Sequence, residues 1–266
     1  MSEFIFTESL LYYLSFEKIM NKTELIRTDE YIIHSYEVDC ERRLRLSVLN
    51  RYMQESAWQH AETLGAGYAS LLSKNFAWVL TRTVISIEEL PIWGNSLKLS
   101  TWPSGLDHLF AYRDFLFLNT DNQEIGRATT SWCVIDLETR RPQPVAEIFP
   151  FQLPQDKGLL FAERPPKVEL LTGEDYVWHT RVGYQDIDTN EHVNNGRYID
   201  WIYETFPLEF LKTRHPQSLE INYLAEAFYN QEITVTTQKT SEITFLHSVV
   251  KMPNHIEICR AKTIWR

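Results

Sequence analysis

The chain lacks much of what common architectures need. Glycine supplies only nine of 266 residues, which argues against a glycine-rich nucleotide-binding scaffold. Cysteine occurs three times, at Cys40, Cys133 and Cys259. An odd, widely spaced set is neither a disulfide framework nor a zinc motif, so a reducing compartment, the cytoplasm, is expected. Basic residues are in deficit: 26 Lys and Arg against 36 Asp and Glu leave a formal charge of −10. That disfavours nucleic acid and anionic membrane as general partners. No membrane span is expected either. The apolar stretch Leu10–Leu14 is too short, follows Glu3 and Glu8, and has no basic n-region before it. Residues 1–22 therefore read as a packed or disordered extension, with a natural start at Met20 as the sharper alternative.

Apolar and aromatic residues are plentiful, at 44% and 13% with eight Trp. This is enough for a large core, and the length suits two domains. From Tyr31 a regular order begins. Tyr31–Val38 reads as a strand, and Ser47 reads as the N-cap of a helix whose stripe is Leu49, Met53, Ala57, Ala61 and Leu64, ended by Gly65. Strand-like runs follow at Phe76–Leu90, Ser96–Trp102, Leu109–Asn119 and Glu124–Leu137. Six of the eleven prolines fall between Pro142 and Pro166, a linker composition. The order then repeats: a strand at Tyr176–Val182, a helix from about Asn194 to Phe206 closed by Pro207, and strands near Leu219–Phe228, Glu232–Lys239, Thr244–Lys251 and Ile256–Trp265. An echo of Asn50-Arg51-Tyr52 in Gly196-Arg197-Tyr198 puts the repeat offset at 146 residues. The expected fold is α+β, each half wrapping an antiparallel sheet around one long helix, with domains at 23–141 and 174–266 and a linker at 142–173.

Chemistry concentrates in Tyr184-Gln185-Asp186-Ile187-Asp188-Thr189-Asn190-Glu191-His192-Val193-Asn194-Asn195-Gly196-Arg197-Tyr198, the lead-in to the second helix. Capping explains Asn194 or Asn195 but not a His among so many polar groups. Asp186, Asp188 and Asn190 match the first three calcium positions of an EF-hand, yet Glu191 replaces its required Gly and Arg197 its final Glu. A lone His without a Cys pair is weak for zinc, and no cofactor or metal is expected. Hydrolysis fits better. In extended chain Asp188, Asn190 and His192 share one side over roughly 13 Å, so they converge only if the loop curls. N–H groups at the helix start, near Asn194–Gly196, would then serve an oxyanion, and His192 or a carboxylate would activate water.

A D-x-D-x-N-x-H-V-N-N-x-x-Y segment entering a helix resembles the active-site motif of hot-dog-fold thioesterases. In particular it resembles the acyl-acyl carrier protein thioesterases of plants and bacteria, over roughly residues 30–266. The resemblance implies two tandem hot-dog domains, chemistry in the second, hydrolysis of fatty acyl-acyl carrier protein, and Asp188, Asn190 and His192 at motif positions. It also implies a catalytic Glu on the strand after the helix, in a Tyr-x-x-Glu-Cys setting. Here the residues are Tyr223-Leu224-Ala225-Glu226-Ala227, so Glu226 matches while Ala227 replaces the Cys. A Cys/His/Asn scheme thus lacks its nucleophile, since Cys259 reads as a small buried residue of the last strand. The expected reaction is general-base attack of water. Glu226 or Asp188 is the base, with Glu226 favoured because Ala225, Ala227 and Phe228 would desolvate it. Asn194, Asn195, Gly196 and Tyr198 are expected to meet the substrate.

With the 146-residue offset, Asp188, Asn190 and His192 fall on Arg42, Leu44 and Leu46, so the first half lacks the site. Its implied role is to hold the acyl chain, with Tyr52, Met53, Trp58 and Trp78 as candidate tunnel walls. An acidic carrier protein bearing a phosphopantetheine-linked acyl chain needs a local basic face. Arg42, Arg43, Arg45 and Arg51, or Lys212 and Arg214, would supply it. The alternatives are an acyl-CoA thioesterase, a hot-dog dehydratase and a non-catalytic acyl-binding protein. Against the last stands the cost of keeping four unused polar groups buried. The internal repeat leaves a homodimer open.

Overall fold

The computed structural model describes residues 25–148, 153–154 and 157–266. The N-terminal extension with its start at Met20, and the middle of the linker, lie outside them. Within it, β1 (Arg27–Ile32) and β7 (Tyr176–Arg181) open the two halves, each alternating half-buried and exposed side chains as strands with one wet face do. The first half adds β2 (Phe76–Ile87), β3 (Ser96–Leu106), β4 (Phe110–Leu118), β5 (Glu124–Asp136) and the short β6 (Pro142–Gln143). The second adds β8 (Pro216–Tyr223), β9 (Glu232–Lys239), β10 (Thr244–Lys251) and β11 (Ile256–Trp265). All belong to one antiparallel sheet, in the order β1-β3-β4-β5-β2-β8-β11-β10-β9-β7 with β6 on β5. That order mirrors itself through the β2–β8 pair, which runs from Arg82–Asn222 to Ser86–Ser218. Two α+β halves of the hot-dog type are thus joined edge to edge.

The helices are α1 (Leu46–Thr63), α2 (Tyr68–Leu72), α3 (Val145–Ile148), α4 (Asn195–Tyr203) and α5 (Leu208–Thr213). Leu49, Met53 and Ala57 of α1 and Tyr198, Ile199 and Ile202 of α4 share one core with Leu97, Leu99, Phe115, Leu219 and Ile221 of the sheet. The two helices also touch each other. At their contact a Cβ on Gly196 would lie 3.1 Å from the Ser47 carbonyl oxygen, so the missing side chain allows the approach. Arg51 of α1 reaches Asp200 of α4 at 2.9 Å.

Several expected boundaries move. Ser47 is buried inside α1, not its N-cap; that position belongs to Arg45, whose side chain makes no capping bond. The second helix stops at Tyr203, and Pro207 caps the separate α5 instead of closing one long helix. β8 ends at Tyr223, which leaves Glu226 in the following loop rather than on the strand. The linker crosses the sheet face away from α1 and α4: Leu160 N–H donates to Asp114, Arg82 to the Pro165 carbonyl and Val168 N–H to Asn222. Asp114 and Asn222 neighbour Phe115 and Ile221 in their strands, so alternation points them to that opposite face.

At the loop before each helix the repeat offset is 149, not 146. The bridges Val38–Leu44 and Ile187–Val193 correspond (187 − 38 = 193 − 44 = 149), and the left-handed residues Arg42 (φ 65°) and Glu191 (φ 63°) fall at the same offset. The Asn50-Arg51-Tyr52 echo is a coincidence three residues out of step. Asp188, Asn190 and His192 therefore correspond to Asp39, Glu41 and Arg43.

In the first half this loop has become a clamp. Arg43 is 8% exposed. Its guanidinium donates to Asp39 Oδ2 at 2.8 Å, to the Leu211 carbonyl at 2.7 Å and to the Arg214 carbonyl at 3.1 Å, and lies 3.0 Å from His215 Nδ1. It binds the first half to the α5 end of the second. Removing it strands buried acceptors, at a cost of about 2–3 kcal/mol. Arg43→Ala is expected to lower the melting temperature by about 5–10 °C. Arg181→Ala, which breaks an exposed pair with Glu232, should leave it nearly unchanged; equal shifts in a thermal melt would contradict the clamp.

Candidate active site

The loop 184–194 is curled by its own hydrogen bonds. A 3-10 turn covers Tyr184–Asp186. Asp188 N–H donates to the His192 carbonyl at 2.8 Å, Glu191 N–H to the Asp188 carbonyl at 3.0 Å, and Asn194 N–H to the Asp186 carbonyl at 2.8 Å. Asp188 Oδ1 accepts from Asn190 N–H at 2.8 Å. The equivalent Asp39 does the same for Glu41 at 2.9 Å. The bracket is a property of the repeat, and only the second half carries Asn190 and His192 on it.

Backbone pairing then brings the Glu226 loop alongside. Val193 N–H donates to the Ala227 carbonyl at 2.9 Å, and His192 forms a bridge with Phe228. The His192 ring meets the Phe228 ring edge-on, with centroids 5.0 Å apart. Lys251 of β10 donates to the Glu226 carbonyl at 3.1 Å. The outcome is His192 Nδ1 3.5 Å from Glu226 Oε1, both side chains about one-third exposed. Arg140, from the turn between β5 and β6, contacts both Glu226 oxygens at 2.6 Å. The expected desolvation of Glu226 is therefore not what its neighbours provide: a guanidinium and solvent face it.

Beneath this pair lie the buried Tyr198 and the half-buried Tyr223. Burial pushes the hydroxyls of Tyr198 and Tyr223 up from their ordinary range. The charges of Glu226 and Asp188 push the Tyr198 hydroxyl in the same direction. Tyr223 donates to the Asn195 carbonyl at 3.3 Å. Cys259 is fully buried next to them, and desolvation drives its thiol well above the ordinary range, which is the opposite of an activated nucleophile.

The other expected contacts separate. Asn190 is exposed, and its amide makes no hydrogen bond among the described residues. Asn194 caps α4, its Oδ1 accepting from Gly196 N–H at 2.9 Å, while its own N–H is spent on Asp186. Gly196 faces α1 and is a packing residue. Of the three proposed oxyanion donors, Asn195 N–H alone has no acceptor among the described hydrogen bonds. Met53 lies in the main core; Tyr52 stacks on Tyr31 with centroids 4.0 Å apart. Trp58 is 55% exposed, and Trp78 belongs to a separate small cluster with Ala66, Leu71, Val134 and Val145. Tyr52 and Met53 thus share the main core, while Trp58 and Trp78 lie apart from it. The arginine face also shrinks: Arg43 is in the clamp and Arg51 on Asp200, leaving Arg42 and Arg45 exposed. Missed from the sequence was Arg140, whose turn carries no motif and lies 86 residues from its partner.

Known proteins resemble this chain over both halves. The model of the acyl-ACP thioesterase N-terminal domain matches residues 24–150, and that of the C-terminal domain matches residues 172–266. A chloroplastic palmitoyl-acyl carrier protein thioesterase of Gossypium hirsutum is 29% identical over 91% of this chain and 64% of its own length. A chloroplastic oleoyl-acyl carrier protein thioesterase of Arabidopsis thaliana is 27% identical over 90% of this chain and 75% of its own. The chain thus spans just under two thirds of the first relative. Among solved structures, an acyl-ACP thioesterase from Bacteroides thetaiotaomicron superposes with a TM-score of 0.83 at 30% identity, covering 93% of this chain and all of that one. The 12:0-ACP thioesterase of Umbellularia californica shares the fold, at a TM-score of 0.79 and 23% identity. With both family domains matched in order, and the curled motif loop in the second, the chain belongs to the acyl-ACP thioesterase family.

Proposed function

We propose that the protein hydrolyses fatty acyl-acyl carrier protein to free fatty acid and carrier protein, by direct attack of water at the site around His192. The observation that carries this reading is the meeting of His192 and Glu226 from two separate loops. With Nδ1 facing Glu226, His192 presents Nε2 to solvent and substrate. In the reaction Glu226 accepts from the Nδ1 proton and Nε2 takes the proton of the attacking water. A 3.5 Å separation in the unliganded chain tightens when the ester excludes water. Asp188 braces the loop through the Asn190 N–H, and Asn190 extends its free amide toward the thioester or the water. Asn195 N–H, at the start of α4, supports the developing oxyanion. The first half holds the acyl chain between α1 and its sheet.

The carrier protein and the cytoplasmic setting belong to the same proposal. Its three cysteines are free, and no helix of the described residues is long and apolar enough to cross a membrane. Release of free thiol should be faster from acyl-acyl carrier protein than from the matching coenzyme A ester, measured as kcat/KM. The reverse preference would move the assignment to an acyl-CoA thioesterase, and binding without turnover would leave an acyl-binding protein.

Mutagenesis separates the candidate mechanisms. His192→Ala and Glu226→Gln should each lower kcat by about 10²–10⁴-fold, the usual contribution of a general acid–base group. Cys259→Ala should leave turnover intact, because the thiol is sealed in the core. Loss of activity in Cys259→Ala with an unchanged melting temperature would overturn the direct-water scheme.

A further inference from the structure

The first half keeps the loop and its bracing Asp39 but none of the other three site groups. At the positions of Asp188, Asn190 and His192 it carries Asp39, Glu41 and Arg43, and the equivalent bridges Arg43–Ile92 and His192–Phe228 put Leu90 at the position of Glu226. It nevertheless delivers one side chain to the site. Arg140 places a single guanidinium nitrogen 2.6 Å from each oxygen of Glu226, on the carboxylate whose Oε1 also faces His192.

The turn that carries Arg140 is rigidly built. Asp136 Oδ1 accepts from the N–H groups of Glu138 and Thr139 and from the Thr139 hydroxyl at 2.7–3.0 Å. Arg140 N–H donates to the Asp136 carbonyl at 2.8 Å, and Asp136 N–H to the Arg141 carbonyl at 3.0 Å. Leu137 N–H is held by the Asn75 carbonyl at 2.9 Å, which ties the turn to the start of β2. Arg140 itself sits in the left-handed region at φ 57°. An exposed arginine on a free loop would swing, whereas this one starts from a fixed backbone and ends on a fixed acceptor, since Lys251 holds the Glu226 carbonyl from the other side.

We infer that Arg140 is a positioning residue for hydrolysis, supplied by the first half to the second. It fixes the Glu226 carboxylate in the orientation that faces His192. The pair is half-exposed, with side chains 50% and 34% accessible, so its contribution to folding is small and its value is geometric. This inference rests on the reading of Glu226 and His192 as the acid–base couple. It explains why the two halves must stay joined for a site whose four motif groups all lie in one of them.

The test is steady-state hydrolysis of acyl-acyl carrier protein by the full chain, comparing wild type, Arg140→Gln, Arg140→Lys, Glu226→Gln and the double variant Arg140→Gln/Glu226→Gln. Arg140→Gln should lower kcat by roughly 10- to 100-fold with KM nearly unchanged and an unchanged melting temperature. Arg140→Lys should recover part of the loss, and the double variant should be no slower than Glu226→Gln alone. Wild-type kcat in Arg140→Gln would overturn the inference, as would a rise in KM alone, which would mark a docking residue, or fully additive losses in the double variant. A wild-type enzyme inert toward every thioester, or an active Glu226→Gln, would instead sink the underlying reading of the site.

Discussion

The β2–β8 pairing is the constraint on which the remainder depends. It converts two half-sheets, each with an edge to protect, into one sheet with a single continuous helix-bearing face. Once the halves are joined there, α1 and α4 must meet, and Gly196 against the Ser47 carbonyl is the local solution. Two contacts across the joint then become available: Arg43 reaching α5, and Arg140 reaching Glu226. The first holds the halves together; the second connects one half to the proposed site in the other.

The duplicated loop shows how one backbone device supports two roles. A curled bracket closed by Asp39 or Asp188 presents the residue four positions on at the same place in each half. In the first half that residue is Arg43, whose fixed charge and several donors suit a buried clamp on backbone carbonyls. In the second it is His192, with a ring able to donate from one nitrogen and accept at the other. On a scaffold that stayed constant, this position holds a buried clamp in one half and the proposed proton acceptor in the other.

Much of this was legible in the chain because it depends on local pattern. The strand–helix–strands order repeats with the Pro-rich break between, and polar residues crowd the entry to α4. What escaped depends on distance in space. The offset was misread because a three-residue echo outweighed the subtler match of Asp39 to Asp188, which only the shared hydrogen bonds reveal. Arg43 looked like part of a solvated basic face because neighbouring sequence gives no sign of the α5 carbonyls that bury it. Glu226 was expected to be desolvated by its apolar neighbours, yet Arg140 arrives from 86 residues away to face it. Nothing in the sequence of α1 distinguishes Trp58, which is 55% exposed, from Met53, which is buried in the core.

The central claim is that water attacks the thioester directly, with no covalent intermediate on the protein. Intact-protein mass spectrometry of the wild-type enzyme, acid-quenched during turnover of acyl-acyl carrier protein, tests it most directly. The account predicts only the unmodified mass throughout the reaction. A transient adduct of one acyl group that forms and decays with turnover would contradict it and require a nucleophile at the site.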